Sequence, residues 1–299
     1  MRRLSHGAKG RLIGWIIFFA ILISSSFQSK DSPPTRRPAP FIAKAPAHAE
    51  PRLPRDFPEG EGALRRPSTF DGILAIEESS RDPNSVSVGT AFSINDNGLW
   101  ITARHVTEGC DRLILRGLGG KSFAVNGLIE HPRADVSIFK ANLQAEPLLI
   151  NFDTLNYGQK GFHFGFPRGE PGDVHSVLMG RRAMFQKGRS IQKENVLVWA
   201  ERDNFPKNDY ALGGISGGPI VNSSGEVVGI HVAGSKRRGR SYSSLPSTIN
   251  YLTKRGSYFY DENNDISTVT PYLNEYEFAK AGRDLRKQKT VAQVVCFTK

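Results

Sequence analysis

From about Phe70 onward, short apolar runs alternate with turns rich in Gly, Asn and Asp. Runs of this length between turn residues predict β-strands. The segment Asp96-Asn97-Gly98 is a strong turn signal between two of them. Many short strands with regular turns indicate a barrel or a sandwich. The predicted strands are Val86–Ile94, Leu99–Thr102, Arg112–Arg116, Phe123–Glu130, Val136–Lys140, Gly161–Phe166, Val174–Gly180, Val196–Glu201, Pro219–Val221 and Val227–Ala233.

The end of the chain departs from this pattern. Leu245–Arg255 predicts a short helix packed on the β body. Beyond it, residues 256–299 hold an acidic turn, a helical pattern over Tyr272–Lys287 and an apolar end, VAQVVCF. We interpret residues 256–299 as a C-terminal extension, which is either a helix packed on the barrel or a segment that binds a partner.

The beginning of the chain carries a targeting pattern in residues 1–29. Leu12 to Phe27 are sixteen uncharged, mostly apolar residues that follow four basic ones. The basic head predicts that the rest of the chain crosses the membrane, as a signal anchor or after removal of a signal peptide. Ala47-His48-Ala49 is a fair cleavage sequence but lies twenty residues beyond the run, so we expect an anchor in the cytoplasmic membrane. Both alternatives predict a periplasmic or extracellular location, with secretion if the segment is cleaved.

Residues 30–68 form a second region without strand character. The stretch from Ser32 to Gly62 has eight prolines and few large apolar side chains. Such a composition cannot bury a core, which predicts an extended spacer between the membrane and the folded domain.

Composition and charge add little to this organisation. The net charge is +11, but the basic residues are distributed over the head, the linker and several loops. No nucleic-acid motif accompanies them, so solvated loops or an anion patch are the alternatives and nucleic acid is not expected as a partner. Cys110 and Cys296 could form one bridge in an oxidising compartment. No metal-ligand spacing is present, and we expect no metal or cofactor.

The first chemical signal is Gly213-Gly214-Ile215-Ser216-Gly217-Gly218-Pro219. A serine hydroxyl needs a base that removes its proton, and backbone N–H donors that stabilise the developing oxyanion. The glycine two residues before Ser216 lets the backbone turn its N–H towards that position. We expect the N–H groups of Gly214 and Ser216 to form an oxyanion hole. The alternative for this segment is a glycine-rich turn between strands.

Two further residues lie at the edges of predicted strands. His105 follows Trp100-Ile101-Thr102-Ala103-Arg104, in which an apolar strand runs into Thr-Ala, and a catalytic base at such a strand end would be held rigidly. Asp135 begins the apolar stretch Val136-Ser137-Ile138-Phe139 and would orient the imidazole. Each residue alone has an ordinary structural explanation. Together they form the order His, Asp, Ser with spacings of 30 and 81 residues, which differs from the orders of the α/β-hydrolases and the subtilisins.

The pieces GTAFSI, WITARHV, ADVSIF and GGISGGPIVNSSGEVVGIHVAG resemble the trypsin/chymotrypsin family over roughly Thr69 to Arg255. The resemblance implies an all-β fold of two six-stranded antiparallel barrels with short helices, within a protease domain at residues 69–255. His105 and Asp135 would come from the first barrel and Ser216 from the second. Val106 replaces the cysteine that many members carry after the histidine. The chain is more similar to the bacterial branch, including Deg/HtrA-like enzymes, although no PDZ domain is evident.

The resemblance also suggests a specificity pocket. Its base would be at Tyr210, followed by Ala211, and an acidic residue that selects Lys or Arg is absent there. The stretch with His231 is similar to glutamyl endopeptidases and picornaviral cysteine proteases of this fold, where a histidine reads Glu or Gln at P1. Val232, Ala233 and Gly234 would form the edge that pairs with substrate backbone. The alternative for His231 is a buried strand histidine bonded to its neighbours.

The sequence therefore predicts a serine endopeptidase of the cell envelope that acts on proteins or peptides through an acyl-enzyme. One alternative is a catalytically silent module with a protease fold. Another is a binder of anionic surfaces through the basic segments. The sequence leaves the oligomeric state, the natural substrate and the regulation open.

Overall fold

The computed structural model describes residues 62–77, 82–187, 191–207, 211–255 and 273–299. These residues form strands and a few short helices. The helices are α1 Arg104–Thr107, α2 Ser247–Arg255 and α3 Phe278–Lys287. The strands are β1 Ile73–Glu77, β2 Val86–Ser93, β3 Leu99–Thr102, β4 Arg112–Arg116, β5 Ser122–Glu130, β6 Ser137–Ala141, β7 Lys160–Gly165, β8 Gly172–Lys187, β9 Ile191–Phe205, β10 Pro219–Val221, β11 Val227–Ser235, β12 Arg240–Ser244 and β13 Val291–Phe297.

The first barrel is a closed ring of six antiparallel strands in the order β13-β2-β3-β6-β5-β4. Closure removes the unpaired edges that an open sheet of this size would present to solvent. On β3, which lies between β2 and β6, all four side chains are buried, and Trp100 has no exposed surface. The predicted apolar strand before His105 is therefore a central strand of this barrel.

The second barrel closes through the strands β8-β7-β10-β11-β12-β9, with β8 and β9 paired to complete the ring. These six strands are antiparallel, and β1 pairs in parallel with the last five residues of β8. The prediction of an all-β fold with two six-stranded barrels is thus confirmed. The predicted membrane segment lies outside the described residues, and within the described ranges no helix is long and apolar enough to span a bilayer.

The β8–β9 hairpin is much longer than the sequence predicted. β8 has 16 residues and β9 has 15, whereas the apolar patterns predicted only Val174–Gly180 and Val196–Glu201. Along its distal half, buried and exposed side chains alternate, so that Met184 and Val196 are buried while Asn195 is exposed. Met184 and Val196 belong to the same buried apolar cluster as Ala103 and Phe139. The hairpin therefore reaches beyond its own barrel and covers part of the first one.

The structure differs from the predicted domain boundaries at both ends. The apolar end of the predicted C-terminal extension is β13, which pairs with β2 on one side and β4 on the other. The first barrel therefore depends on residues beyond 255 for its closure. At the other end, the predicted linker contributes Leu64, which is buried against Leu155 and whose N–H donates to the Leu155 carbonyl at 2.7 Å. The apolar pattern of one strand does not show which distant strands that strand will pair with.

Besides the pairing of β13, a disulfide and a buried ion pair attach the tail to the barrels. A disulfide joins Cys110, which follows α1, to Cys296 on β13, across a sequence separation of 186 residues. The guanidinium of Arg286 on α3 forms a bidentate ion pair with the carboxylate of Asp173 on β8, with N–O distances of 2.7 and 2.9 Å. Both partners are almost completely buried. The extension is therefore integrated into the domain, consistent with the alternative of a helix packed on the barrel.

Candidate active site

His105 is held where the first barrel meets its short helix. β3 ends at Thr102, and α1 begins at Arg104, so the imidazole follows directly from a buried strand. Its Nδ1 lies 2.6 Å from Oδ2 of Asp135, and its backbone N–H donates to Oδ1 of the same carboxylate at 2.8 Å. Two contacts to one carboxylate fix both the position and the ring orientation of His105. The Nε2 atom is then the ring nitrogen left for acid–base chemistry.

The turn that carries Asp135 is stabilised by another histidine. Nδ1 of His131 accepts hydrogen bonds from the backbone N–H groups of Arg133 and Ala134, at 3.1 and 2.8 Å. A ring nitrogen that accepts must be unprotonated. Burial, together with the charges of Arg133 and Arg104, lowers the pKa of His131 to about 4, which keeps it in this form at neutral pH. The chain therefore enters β6 with Asp135 already directed at His105.

Asp135 is buried and yet ionised. Burial by itself raises the pKa of a carboxyl group, but the charge of His105, its two hydrogen bonds and the amide of Gln186 hold the pKa of Asp135 below its ordinary value. Nε2 of Gln186 donates to Oδ2 at 3.3 Å. Asp135 is thus a negative group that favours an imidazolium at His105.

A second carboxyl group, Glu194, lies next to Asp135. Its Oε2 accepts the backbone N–H of Asp135 at 2.9 Å, and the side chain is buried. Burial, with a further contribution from the charge of Asp135, raises the pKa of Glu194 to about 8, although the hydrogen bond from Asp135 N–H opposes the shift. At neutral pH, Asp135 is therefore charged and Glu194 is protonated, so the pair does not hold two negative charges.

Ser216 is half-buried in the loop before β10 and is held against the first barrel. Its carbonyl accepts the N–H of Thr90 on β2 at 2.8 Å, and the hydroxyl of Thr90 donates to the Gly214 carbonyl at 2.8 Å. The next residue, Gly217, has a φ of +86°, and any Cβ there would collide with Thr90, Thr102 and Ala103. The loop can therefore approach the end of β3, three residues before His105, only with glycine at position 217.

Gly214 has a backbone conformation that other residues rarely adopt. Its φ is +101°, and a Cβ there would lie 2.6 Å from the Phe166 carbonyl oxygen and 3.0 Å from Arg168 N. The preceding carbonyl, that of Gly213, accepts the N–H of Arg168 at 2.6 Å, which fixes the orientation of the peptide that carries Gly214 N–H. In the part of the chain that the structure describes, the N–H groups of Gly214 and Ser216 donate to no protein acceptor. Both donors are thus available to an incoming oxygen.

The residues expected at the specificity pocket are only partly described. Tyr210 lies outside the described residues, and Ala211 is exposed in the loop before Gly213. On β11, His231 and Val232 are buried, Ala233 is half-buried and Gly234 is exposed. β12 pairs with β11 as far as Ser235, whereas β10 pairs only with Val227 to Ile230. On the side of β11 that pairs with β10, the residues after His231 therefore have no strand beside them within the described ranges.

His231 is part of a buried hydrogen-bonded chain. Its Nδ1 lies 3.0 Å from Nδ1 of His163, and Nε2 of His163 lies 2.7 Å from the Ser176 hydroxyl, which donates to the Gly161 carbonyl at 3.0 Å. Burial, with a further contribution from His105, lowers the pKa of His231 to about 3. The pKa of His163 is also lowered by burial and by its histidine neighbours. Both imidazoles are therefore neutral.

Several residues of this site were not found by sequence reasoning. His131 could have been noticed, since it lies four residues before Asp135 in HPRAD. The other residues come from distant strands, and no sequence spacing connects them with His105, Asp135 or Ser216. They are Thr90, His163, Gln186 and Glu194. Over the described residues, no cluster of His, Cys, Asp and Glu is arranged to hold a metal ion.

Residues 89–230 match the family model described as the trypsin-like peptidase domain. The chain is similar to a probable periplasmic serine endoprotease, DegP-like, of Pseudomonas fulva, with 32% identity over 154 residues. This alignment covers 50% of the chain and 30% of the relative. A DegP-like protein of Chlamydia trachomatis is 27% identical over 168 residues, which is 55% of the chain and 32% of the relative. The chain thus spans less than a third of the length of these relatives.

The solved structures to which the chain is similar include the active form of the Rv3671c protease of M. tuberculosis, with a TM-score of 0.48 and 17% identity. That alignment covers 71% of this chain and 97% of the other. The HtrA-type protease AlgW with a decapeptide has a TM-score of 0.46 and 19% identity, covering 57% and 52% of the two chains.

Proposed function

We propose that this chain, in which residues 89–230 match the model of the trypsin-like peptidase domain, is a serine endopeptidase with His105, Asp135 and Ser216 as its catalytic triad. The observation that carries the proposal is the pairing of His105 with the buried, ionised Asp135, at 2.6 Å. The loop of Ser216 is bonded to the same barrel through Thr90. The three residues that were convincing only as a set in the sequence thus occur on elements that contact each other.

The chemistry follows from these positions. Nε2 of His105 takes the proton of the Ser216 hydroxyl as Oγ attacks the carbonyl carbon of the scissile bond. Asp135 stabilises the imidazolium that results, because its carboxylate accepts from Nδ1. The N–H groups of Gly214 and Ser216 donate to the oxyanion of the tetrahedral intermediate. His105 then protonates the leaving amine, and water, activated by the same base, releases the acyl group from Ser216.

Labelling separates this proposal from a silent protease fold. A fluorophosphonate probe reacts only with a serine whose proton has a nearby acceptor and whose oxyanion is stabilised. We expect the parent chain to be labelled on Ser216, and Ser216→Ala to remain unlabelled, as measured by mass spectrometry of the tryptic peptide. Ser224, an exposed serine eight residues later, is the matched control, and Ser224→Ala should be labelled like the parent. Absence of labelling in the folded parent chain would instead support the silent binding module.

The finer part of the proposal is a preference for Gln or Glu at P1, read by His231. The Ser176 hydroxyl donates to the Gly161 carbonyl, so its oxygen must accept from Nε2–H of His163. Nδ1 of His163 then accepts from Nδ1–H of His231. In a neutral His231 the remaining Nε2 is an acceptor, and it faces Gly234, where a Cβ would lie 3.9 Å away. An acceptor pairs with the amide N–H of glutamine better than with a carboxylate, which favours Gln over Glu.

A peptide library tests this preference. At pH 7.5 we expect cleavage after Gln to exceed cleavage after Glu, and cleavage after Lys or Arg to be weak. His231→Ala should lower kcat/KM for P1 Gln by about 10- to 100-fold, because a hydrogen bond in a buried site contributes on the order of 1–3 kcal/mol. Cleavage after P1 Leu by the same variant is the control for correct folding and should change little. A preference for basic P1 residues, or an unchanged profile in His231→Ala, contradicts the role of His231.

The cell envelope is the proposed location. The relatives named above are described as probable periplasmic endoproteases, and the Cys110–Cys296 disulfide suits an oxidising compartment. The apolar run Leu12–Phe27 and the Pro-rich stretch after it would connect the domain to the cytoplasmic membrane. Protein or peptide segments that pair with the free edge of β11 are the proposed substrates.

A further inference from the structure

The distal half of the β8–β9 hairpin contacts Asp135, the residue that binds His105. Met184 and Glu194 are opposite each other in the ladder, and Gln186 lies two residues beyond Met184 on the same face of β8. All three are buried, and Met184 joins the apolar cluster of the first barrel. A face that is otherwise suited to apolar packing therefore carries two polar side chains.

Both polar side chains bind the same residue. Nε2 of Gln186 donates to Oδ2 of Asp135 at 3.3 Å, the oxygen that also accepts from Nδ1 of His105. Oε2 of Glu194 accepts the backbone N–H of Asp135 at 2.9 Å. A buried polar group without a partner is unfavourable, so these contacts define one arrangement of the hairpin against Asp135.

We infer that Gln186 and Glu194 are positioning residues for the triad, and that the β8–β9 hairpin sets the orientation of the Asp135 carboxylate towards His105. Gln186 holds the carboxylate group, and Glu194 holds the backbone from which it extends. The inference rests on the proposed function and adds to it a part of the second barrel that acts through Asp135. The hairpin links the two barrels at the residue that orients the catalytic base.

The protonation of Glu194 is consistent with this role. The groups that act on its carboxyl group are Asp135 of the first barrel and, on its own barrel, the hydroxyl of Ser244. Burial raises the pKa of Glu194 to about 8. The uncharged form accepts the N–H of Asp135 without a second negative charge beside its carboxylate.

Kinetics of full-chain variants test the inference. We expect Gln186→Met and Glu194→Met to lower kcat for a peptide substrate by about 10- to 100-fold while KM stays within about twofold, because a lost bond to a charged group acts on the transition state and not on binding. Glu194→Gln keeps an acceptor for the N–H and should retain most of the activity at pH 7. Met184→Ala is the matched control on the same face, and should lower Tm without this fall in kcat. Parent-like kcat in Gln186→Met overturns the inference.

A second measurement is independent of catalysis. The proton on Nδ1 of His105 is hydrogen-bonded to Asp135, and its low-field NMR resonance should shift in Gln186→Met and Glu194→Met but not in Met184→Ala. An unchanged resonance in both variants overturns the positioning role even if the chain cleaves no peptide. A shifted resonance in a chain that no fluorophosphonate labels would instead retain the positioning role and reject the proposed function.

The pH dependence of stability gives a third readout. Because the folded state keeps the Glu194 proton up to about pH 8, whereas the unfolded chain loses it near pH 4.5, the contribution of this group to stability is complete below pH 4.5 and is lost as the pH rises through about 8. We therefore expect Tm of Glu194→Gln, relative to the parent, to increase between pH 5 and pH 9. A constant difference between the two proteins contradicts the protonated form.

Discussion

Asp135→Asn is expected to lower kcat by about 10⁴-fold while the fold is retained. The carboxylate now accepts from Nδ1–H of His105 and from its backbone N–H. Oδ1 of an asparagine can still accept from the backbone, but its NH₂ group would then face Nδ1 and donate to it. The imidazole would carry its proton on Nε2, and it could no longer remove the proton of Ser216.

Steady-state hydrolysis of a peptide substrate measures this effect, with circular dichroism as the check on folding. Asp153→Asn, the same change at an exposed loop position, is the matched control and should keep the kcat of the parent. Asp135→Asn should also react slowly with a fluorophosphonate, since the same base is needed for that reaction. A loss of kcat of less than about tenfold in Asp135→Asn would mean that Asp135 does not set the tautomer of His105.

Arg286→Met is expected to lower the free energy of unfolding by about 3–5 kcal/mol. Arg286 is almost completely buried and forms two bonds with Asp173 and a third, at 3.3 Å, with the Gly165 carbonyl. Burial raises the pKa of Asp173, and the hydrogen bonds and charge of Arg286 oppose that shift. Without the guanidinium, the buried carboxyl group would lose both of its hydrogen bonds to Arg286 and would keep only the weaker influence of the Arg283 charge, which is strongly unfavourable.

Urea unfolding measures the loss, and a double-mutant cycle assigns it. Because apolar residues of similar volume can replace a buried ion pair at little loss, Arg286→Met combined with Asp173→Leu should be closer in stability to the parent than Arg286→Met alone. Lys280→Met removes an exposed ion pair with Asp284 on the same helix, and it should leave the unfolding midpoint unchanged. If Arg286→Met behaved like Lys280→Met, α3 would not be held by this pair.

The fate of the predicted C-terminal extension shows why such contacts escape sequence reasoning. The helical pattern and the apolar end of this segment were recognisable, because side-chain periodicity is a local property. That Val291–Phe297 inserts between β2 and β4, about 200 residues earlier in the chain, depends on strand pairing over a long separation. A strand pattern specifies which face is apolar but does not specify its neighbours. The same limitation explains why Arg286 and Asp173 gave no sequence signal as a pair.

The sequence by itself determined the all-β character of the chain and led to the proposal of His105, Asp135 and Ser216 as the triad, because turn spacing, strand-edge positions and residue order are local properties of the sequence. Only the tertiary structure decided how these residues are supported. It brought Gln186 and Glu194 to Asp135, placed Thr90 against the Ser216 loop and put His163 behind His231. Each of these contacts joins side chains on separate strands, and whether a buried polar group is satisfied depends on which strands pack together.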